Sequence, residues 1–230
     1  MQKLSIIIPS FNEQATIISV LNSIISLSLQ IPYEVIVVDD GSTDTTWDLL
    51  SLFQKKHKKI QIHHHTTNQG KGAAIQTGIQ KATGDYILIQ DSDTEYHPAD
   101  IPKLVDYIIN TGAPAVYGSR NLTKTGRGAM IYYVGGIFLS IITNIIYRQE
   151  LTDVSTGYKL FQKSKIQLPF NEKRFGVCYE ITIQLARNGF KIPEIPIQYS
   201  PRTKKEGKKI TFFDGLHAIV ILLTNYHFKW

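Results

Sequence analysis

Asp91, Asp93 and Glu95 stand at alternate positions in "ILIQDSDTEYHP" (87–98), directly after an apolar run. In an extended chain alternate side chains share a face, so these three carboxylates would face and repel one another. A hard divalent cation turns that repulsion into coordination. Mg2+ or Mn2+ prefers carboxylate oxygens, and Asp91 with Asp93 makes such a site, with Glu95 as a third ligand or an outer acceptor. An ion held there can also hold a diphosphate.

Other polar clusters suggest what the diphosphate belongs to. "VDDGSTD" (38–44) places Asp40 to accept hydrogen bonds from a base or ribose, although the same residues suit a plain turn and helix cap. "NQGKGAAIQTG" (68–78) lacks the spacing of a phosphate loop, yet Lys71 can approach a phosphate at a helix N-terminus. "HHH" (63–65) is not a metal site in a strand, where neighbouring side chains point to opposite faces. Asp153 in "LTDVSTGY" is a spare carboxylate, suited either to positioning an acceptor or to acting as a base.

The net charge of +6 favours an anionic partner. "KKHKK" (55–59) suits the solvated end of a helix, whereas "PRTKKEGKK" (201–209) has five cations, one Glu and a glycine, so it suits an anion-binding loop. That loop has no interleaved aromatics, which argues against nucleic acid. One cysteine, Cys178, excludes an internal disulfide and fits a reducing compartment.

Strand and helix signals alternate through the first half. Apolar strands are expected at 4–8, 34–38, 60–65, 85–90 and 115–118, with helices at 14–29, from Ser42 or Thr43 as N-cap, at 72–82 and from Pro98 to Ile109. Strands that are apolar throughout and separated by helices predict a mostly parallel sheet covered on both faces. Ligands of such sheets bind beyond the carboxyl ends of the strands, which is where "PSFNE", "DDGSTD" and "DSDTE" fall.

The ordered set "IPSFNE", "VDDGSTD", "GKGAA", "DSD", "GSR" (118–120) and "STGYKLF" (155–161) resembles the family 2 glycosyltransferases of GT-A fold over nearly the whole chain. More narrowly it is similar to the dolichol-phosphate mannose and glucose synthases. The resemblance implies an α/β GT-A nucleotide-binding fold in a single domain, with 1–120 as the nucleotide-sugar half and 121–230 as the acceptor half. It implies that Pro9, Phe11, Glu13, Val38 and Asp40 surround the nucleotide, and that Asp91, Ser92 and Asp93 meet diphosphate and metal. It further implies that Arg120, Arg202 and Lys208 or Lys209 contact anionic groups of donor or acceptor.

The implied reaction is metal-dependent, inverting transfer of a hexose from a GDP- or UDP-sugar to polyprenyl phosphate. Transfer to a hydroxyl of a glycan or small molecule, and nucleotide-sugar binding without catalysis, are the alternatives. A hydroxyl acceptor needs a general base, whereas a phosphate monoester is largely dianionic at neutral pH. The apolar stretches 131–147 and 216–230 are short for a membrane span, and each suits a core or an interfacial helix. The start of the chain lacks the design of a signal peptide, its apolar run being short and broken by Pro9. The expectation is a cytoplasmic protein peripherally attached to the cytoplasmic face of a membrane.

Overall fold

The computed structural model of the chain describes residues 2–123, 130–202 and 211–225, Phe212 by its backbone alone. Lys208 and Lys209 lie outside the described residues. Strands β1 (Leu4–Ser10), β2 (Tyr33–Asp39), β3 (Ile60–His64) and β4 (Tyr86–Ile89) alternate with helices α1 (Ile17–Ile25), α2 (Thr46–Lys56) and α3 (Lys71–Lys81). After β4 come α4 (Ile101–Thr111), β5 (Ala115–Ser119) and α5 (Met130–Tyr147). The chain continues through β6 (Lys159–Gln162), α6 (Val177–Arg187), β7 (Glu194–Pro196) and α7 (Phe212–Thr224).

The strands form one sheet in the order β3-β2-β1-β4-β6-β5-β7. Neighbours among β1 to β4 are parallel, β6 is antiparallel to both β4 and β5, and β7 is parallel to β5. Alternate residues of the central strands supply two cores. Leu4, Ile6 and Ile8 join Val35, Val37 and Leu88 under α1, α2 and α4. Ile7, Ile36, Val38, Ile87 and Ile89 instead pack with α3, α5, α6 and α7. This two-sided burial is the physical reason the strands read as unbroken apolar runs.

One local expectation is corrected. Neither Ser42 nor Thr43 caps α2, whose N-cap is Thr45. The Ser42 hydroxyl donates to Asp39 Oδ1 at 2.5 Å, and Asp44 Oδ1 accepts from the Thr46 N–H at 2.9 Å. The reason is Gly41, whose φ of +72° turns the chain back on the strand end before the helix begins. Strand β6 is not among the expected strands: it has only four residues and a lysine first, too little pattern to read as a strand.

The register sets the shape of the carboxyl edge. β1 and β2 stay paired as far as Ser10 and Asp39, while β4 stops at Ile89, opposite Ile7. The chain after β4 therefore drops into a step. Because β6 runs the other way, the segment before it, "TDVSTGY", arrives at that same edge.

Candidate active site

The three acids follow β4 in a bend, not in an extended strand. Asp93 Oδ1 accepts the Glu95 N–H at 2.9 Å, a turn that breaks the strict alternation of faces. Asp91 Oδ1 receives Lys71 Nζ at 2.5 Å. Asp93 Oδ2 receives Arg202 Nη2 at 2.5 Å, and Arg202 Nη1 lies 3.2 Å from Glu13 Oε2. Glu95 is turned to the chain instead, its Oε1 accepting the Arg202 N–H at 2.6 Å. Among the described residues no group of three or more His, Cys, Asp or Glu is arranged around one metal position, so the expected Asp91–Asp93–Glu95 set is not assembled.

Asp91 and Asp93 remain chemically suited to a hard cation. Burial first, and then the Asp91 carboxylate, push Asp93 well above the ordinary carboxylate range despite the Arg202 guanidinium. A buried acidic pair in that condition favours added positive charge, and two carboxylates are the donors Mg2+ or Mn2+ prefer. The residues present fit such an ion. Lys71 is held charged: burial alone would lower it, but Asp91 beside it raises it above its ordinary value.

Arg120 follows β5 at the same edge. Its Nε and Nη2 each donate to Asp153 at 2.7 Å, and its backbone N–H donates to Asp153 Oδ2 at 3.0 Å. Asp153 is 1% exposed, so its carboxylate is committed to this fork. Glu194 on β7 fixes the backbone around it, accepting from Thr152 N–H at 2.6 Å, Thr152 Oγ1 at 2.7 Å and Asp153 N–H at 2.9 Å. The guanidinium lies 4.9 Å from the Tyr199 ring and 6.0 Å from the Tyr96 ring, within reach of cation–π attraction.

The Tyr96–Tyr199 bridge, with Ser200 N–H donating to Glu95 O at 2.9 Å, binds the acidic turn to the segment that carries Arg202. Gly157 completes the packing. A Cβ there would stand 2.7 Å from Asp91 Oδ2, and its N–H donates to the Tyr96 hydroxyl at 2.8 Å. Tyr96, Gly157, Glu194 and Tyr199 were not singled out in the sequence. The only signals are an aromatic beside the acids in "DTEY", another beside the cations in "QYSPR", and the glycine of "STGY".

The expected nucleotide residues divide. Glu13 and Ser92 meet the acidic turn, since Thr16 Oγ1 donates both to Glu13 Oε2 at 2.8 Å and to Ser92 O at 3.0 Å. Phe11 is half-buried on the loop after β1. Pro9 and Val38 are register partners across β1 and β2, and both are buried, so they underlie the site. Asp40 is 2% exposed and accepts from His65 Nδ1 at 2.7 Å, Gln69 N–H at 3.0 Å and Gly70 N–H at 2.7 Å. Its carboxylate thus builds the loop that leads into α3. His64 turns instead to Asp39, 2.8 Å away.

The N-terminus of α3 is also partly used by the protein. Ala73 N–H donates to Lys173 O at 3.1 Å, and a Cβ on Gly72 would stand 2.1 Å from Glu172 O. The glycines of "GKGAA" therefore admit a neighbouring backbone, and within that motif it is the Lys71 side chain that reaches Asp91.

Comparison with known proteins agrees with this architecture. The profile described as Glycosyl transferase family 2 matches residues 5–168. An uncharacterized protein of Methanocaldococcus jannaschii is 32% identical over 84% of this chain and 87% of its own length. The UDP-N-acetylglucosamine–dolichyl-phosphate N-acetylglucosaminyltransferase of Methanococcus voltae is 30% identical over 84% of each chain. The dolichol-phosphate mannosyltransferase of Pyrococcus furiosus is 28% identical over 99% of this chain, which spans 64% of that relative.

Among solved structures, glucosyl-3-phosphoglycerate synthase from Mycobacterium tuberculosis in complex with UDP superposes with a TM-score of 0.75 at 20% identity, covering 100% of this chain and 82% of that one. The same enzyme with Mn2+, UDP and phosphoglyceric acid gives 0.74 at 22% identity, covering 100% and 80%. Taken with the profile match and the sheet described above, these likenesses establish that the chain belongs to glycosyl transferase family 2 and has the GT-A fold.

Proposed function

We propose that the chain transfers a hexose, with inversion, from a nucleotide-diphosphate sugar of GDP-mannose or UDP-glucose type to a polyprenyl or dolichyl phosphate. The observation that carries this reading is one cluster holding an acidic pair, Asp91 and Asp93, beside a clamped guanidinium, Arg120. The acids suit the donor's diphosphate and its cation; Arg120 suits an acceptor that is itself an anion. Residues 1–120 would then serve the donor and 121–230 the acceptor. The two relatives named for dolichyl phosphate support the acceptor, and the Mn2+ and UDP complexes of the mycobacterial enzyme support the donor and the ion.

Asp91 and Asp93 would hold Mg2+ or Mn2+, with Glu95 free to join only by leaving Arg202. When bound, such an ion neutralises charge on the leaving diphosphate. Lys71 and Arg202, whose cationic ends sit on those acids, are placed to turn to phosphate oxygens. Lys208 and Lys209, just beyond in sequence, would extend that cationic set. A phosphate monoester with a second pKa near ~6 arrives already deprotonated and needs no base. This agrees with Asp153, whose carboxylate is spent on orienting Arg120.

Two variants test the assignment. Asp93→Ala is expected to abolish transfer and the divalent-ion-dependent part of nucleotide binding; retained transfer refutes the metal assignment. Arg120→Ala is expected to raise KM for polyprenyl phosphate tenfold or more with little change in donor KM. Equal changes in both would move Arg120 to the donor side.

A further inference from the structure

Arg120 and Arg202 both reach acids of the site, but they are held differently. The Arg120 fork closes on Asp153, Nε and Nη2 each donating at 2.7 Å and the backbone N–H adding a third bond. The Arg202 guanidinium is divided between two acids. Its Nη2 donates to Asp93 Oδ2 at 2.5 Å, while its Nη1 lies 3.4 Å and 3.2 Å from the two carboxylate oxygens of Glu13. Among the described residues its Nε is buried and has no acceptor. A buried donor left without a partner is costly. Arg202 therefore sits on Asp93 with only part of its hydrogen-bonding capacity used, whereas Arg120 is fully seated.

The main chain that carries Arg202 is fixed independently of the guanidinium. Ser200 N–H donates to Glu95 O at 2.9 Å, Arg202 N–H donates to Glu95 Oε1 at 2.6 Å, and Tyr199 bridges to Tyr96. Asp93, in turn, is engaged at both oxygens: Oδ1 takes the Glu95 N–H at 2.9 Å and Oδ2 takes Arg202. On the other acid, Lys71 Nζ approaches Asp91 Oδ1 from α3, whose first turn is pinned by the Ala73 N–H to Lys173 O. A guanidinium and a divalent ion cannot both sit in contact with one carboxylate oxygen, because their charges repel.

We propose that Arg202 opposes the divalent ion: its guanidinium and the ion compete for Asp93 Oδ2, and the guanidinium gives up that oxygen to a diphosphate. The side chain swings while its backbone stays bound to the acidic turn, and the unused Nε gains an acceptor in the move. A site whose competent form is about a tenth of the population shows an affinity about tenfold weaker. Arg202 thus keeps the ion loosely held until an anion draws the guanidinium away, which ties the ion to the donor's diphosphate. A fixed strut would behave in the opposite way, since removing it would loosen the turn and weaken ion binding. The inference rests on the reading of Asp91 and Asp93 as ion ligands and goes beyond it in giving Arg202 a competing role.

The test measures Mn2+ binding to the full chain by electron paramagnetic resonance of the free ion, with neither nucleotide nor turnover. Asp93→Ala marks the part of the binding that belongs to the acidic pair. Arg202→Gln is expected to lower the Kd of that part about tenfold. Arg202→Lys, which keeps the charge but loses the planar fork, should fall between the two. Circular dichroism checks that Arg202→Gln is folded; if it is not, Arg202→Lys carries the comparison. A gain in affinity is a result that a loosened fold does not produce. Mn2+ bound no more tightly by Arg202→Gln than by the parent, with Asp93→Ala still abolishing it, would overturn the competition and leave the ion assignment standing. Mn2+ bound equally by the parent, Arg202→Gln and Asp93→Ala would overturn both.

Discussion

Glu194 lies behind the reacting groups and touches none of the residues proposed to meet substrate, yet three hydrogen bonds make it the anchor of the Thr152–Asp153 backbone. Burial raises its carboxyl above the ordinary range, and the three donors it faces oppose that rise. In Glu194→Gln one oxygen becomes an amide that must face a donor, so one bond is lost and Asp153 loosens. The expected result is acceptor KM raised several-fold with donor KM unchanged, and a smaller loss in Glu194→Asp, which keeps the charge. A uniform fall in activity that tracks thermal stability would reduce Glu194 to a packing role. Residue types revealed Asp91, Asp93 and Asp153 as chemistry-bearing, because charged groups at strand ends have few other reasons to gather, and the family resemblance pointed to Arg120 and Arg202. They did not reveal partners. Asp40 was expected to accept from a base or ribose, and in the fold its oxygens hold the 69–70 backbone and His65. Glu95 looked like a metal ligand and instead holds the Arg202 main chain. Partner choice depends on turns such as that at Asp93, which spacing in the sequence does not encode.

The parallel elements were legible because their burial on both faces imposes long apolar runs, and helices α3 and α4 begin and end close to where their patterns do. Strand β6 escaped because a short antiparallel insertion needs only a few apolar residues, and Lys159 at its head reads as exposed. In the fold Lys159 is buried, donating to Val154 O at 2.9 Å and lying over the Tyr117 ring at 3.7 Å. The opposite end of the sheet supplies a stability test remote from the site. Glu34 on β2 collects Ser5 Oγ at 2.6 Å, Lys3 Nζ at 2.9 Å and the Thr83 N–H at 2.7 Å, tying β1, β2 and the entry to β4. Burial alone would raise its pKa, but these donors together lower it from 4.5 to about 2. A depressed carboxylate stabilises the fold above its unfolded pKa, and that contribution is lost as pH falls through the range from 4.5 towards 2. Allowing for solvent screening at the sheet rim, Glu34→Gln should cost about 1–2 kcal/mol at neutral pH. Denaturant titrations should show the gap closing below pH ~3, with transfer activity preserved throughout. A gap that persists at low pH would mean that the loss is not electrostatic.

At the scale of the whole molecule, the stepped carboxyl edge gathers groups from the ends of β1, β4 and β5, the start of β6 and the segment after β7. The acidic turn proposed for the donor and the Arg120–Asp153 pair proposed for the acceptor are thereby held by one sheet. The mostly parallel α/β sheet followed from the alternation of elements and the GT-A expectation from the motif resemblance, whereas the exposure of α5 at Ile131, Val134, Phe138, Ile141 and Ile145 followed from neither, since apolar composition alone suits a core helix equally well. The most direct test of the proposed function is a donor screen that reads nucleoside diphosphate release with Mn2+ present. GDP-mannose, UDP-glucose and UDP-N-acetylglucosamine would each be offered with a short-chain polyprenyl phosphate or with a panel of hydroxyl acceptors. The account predicts release from one donor only when polyprenyl phosphate is supplied. Release driven by a hydroxyl acceptor with no response to polyprenyl phosphate, or donor binding with no turnover at all, would contradict it.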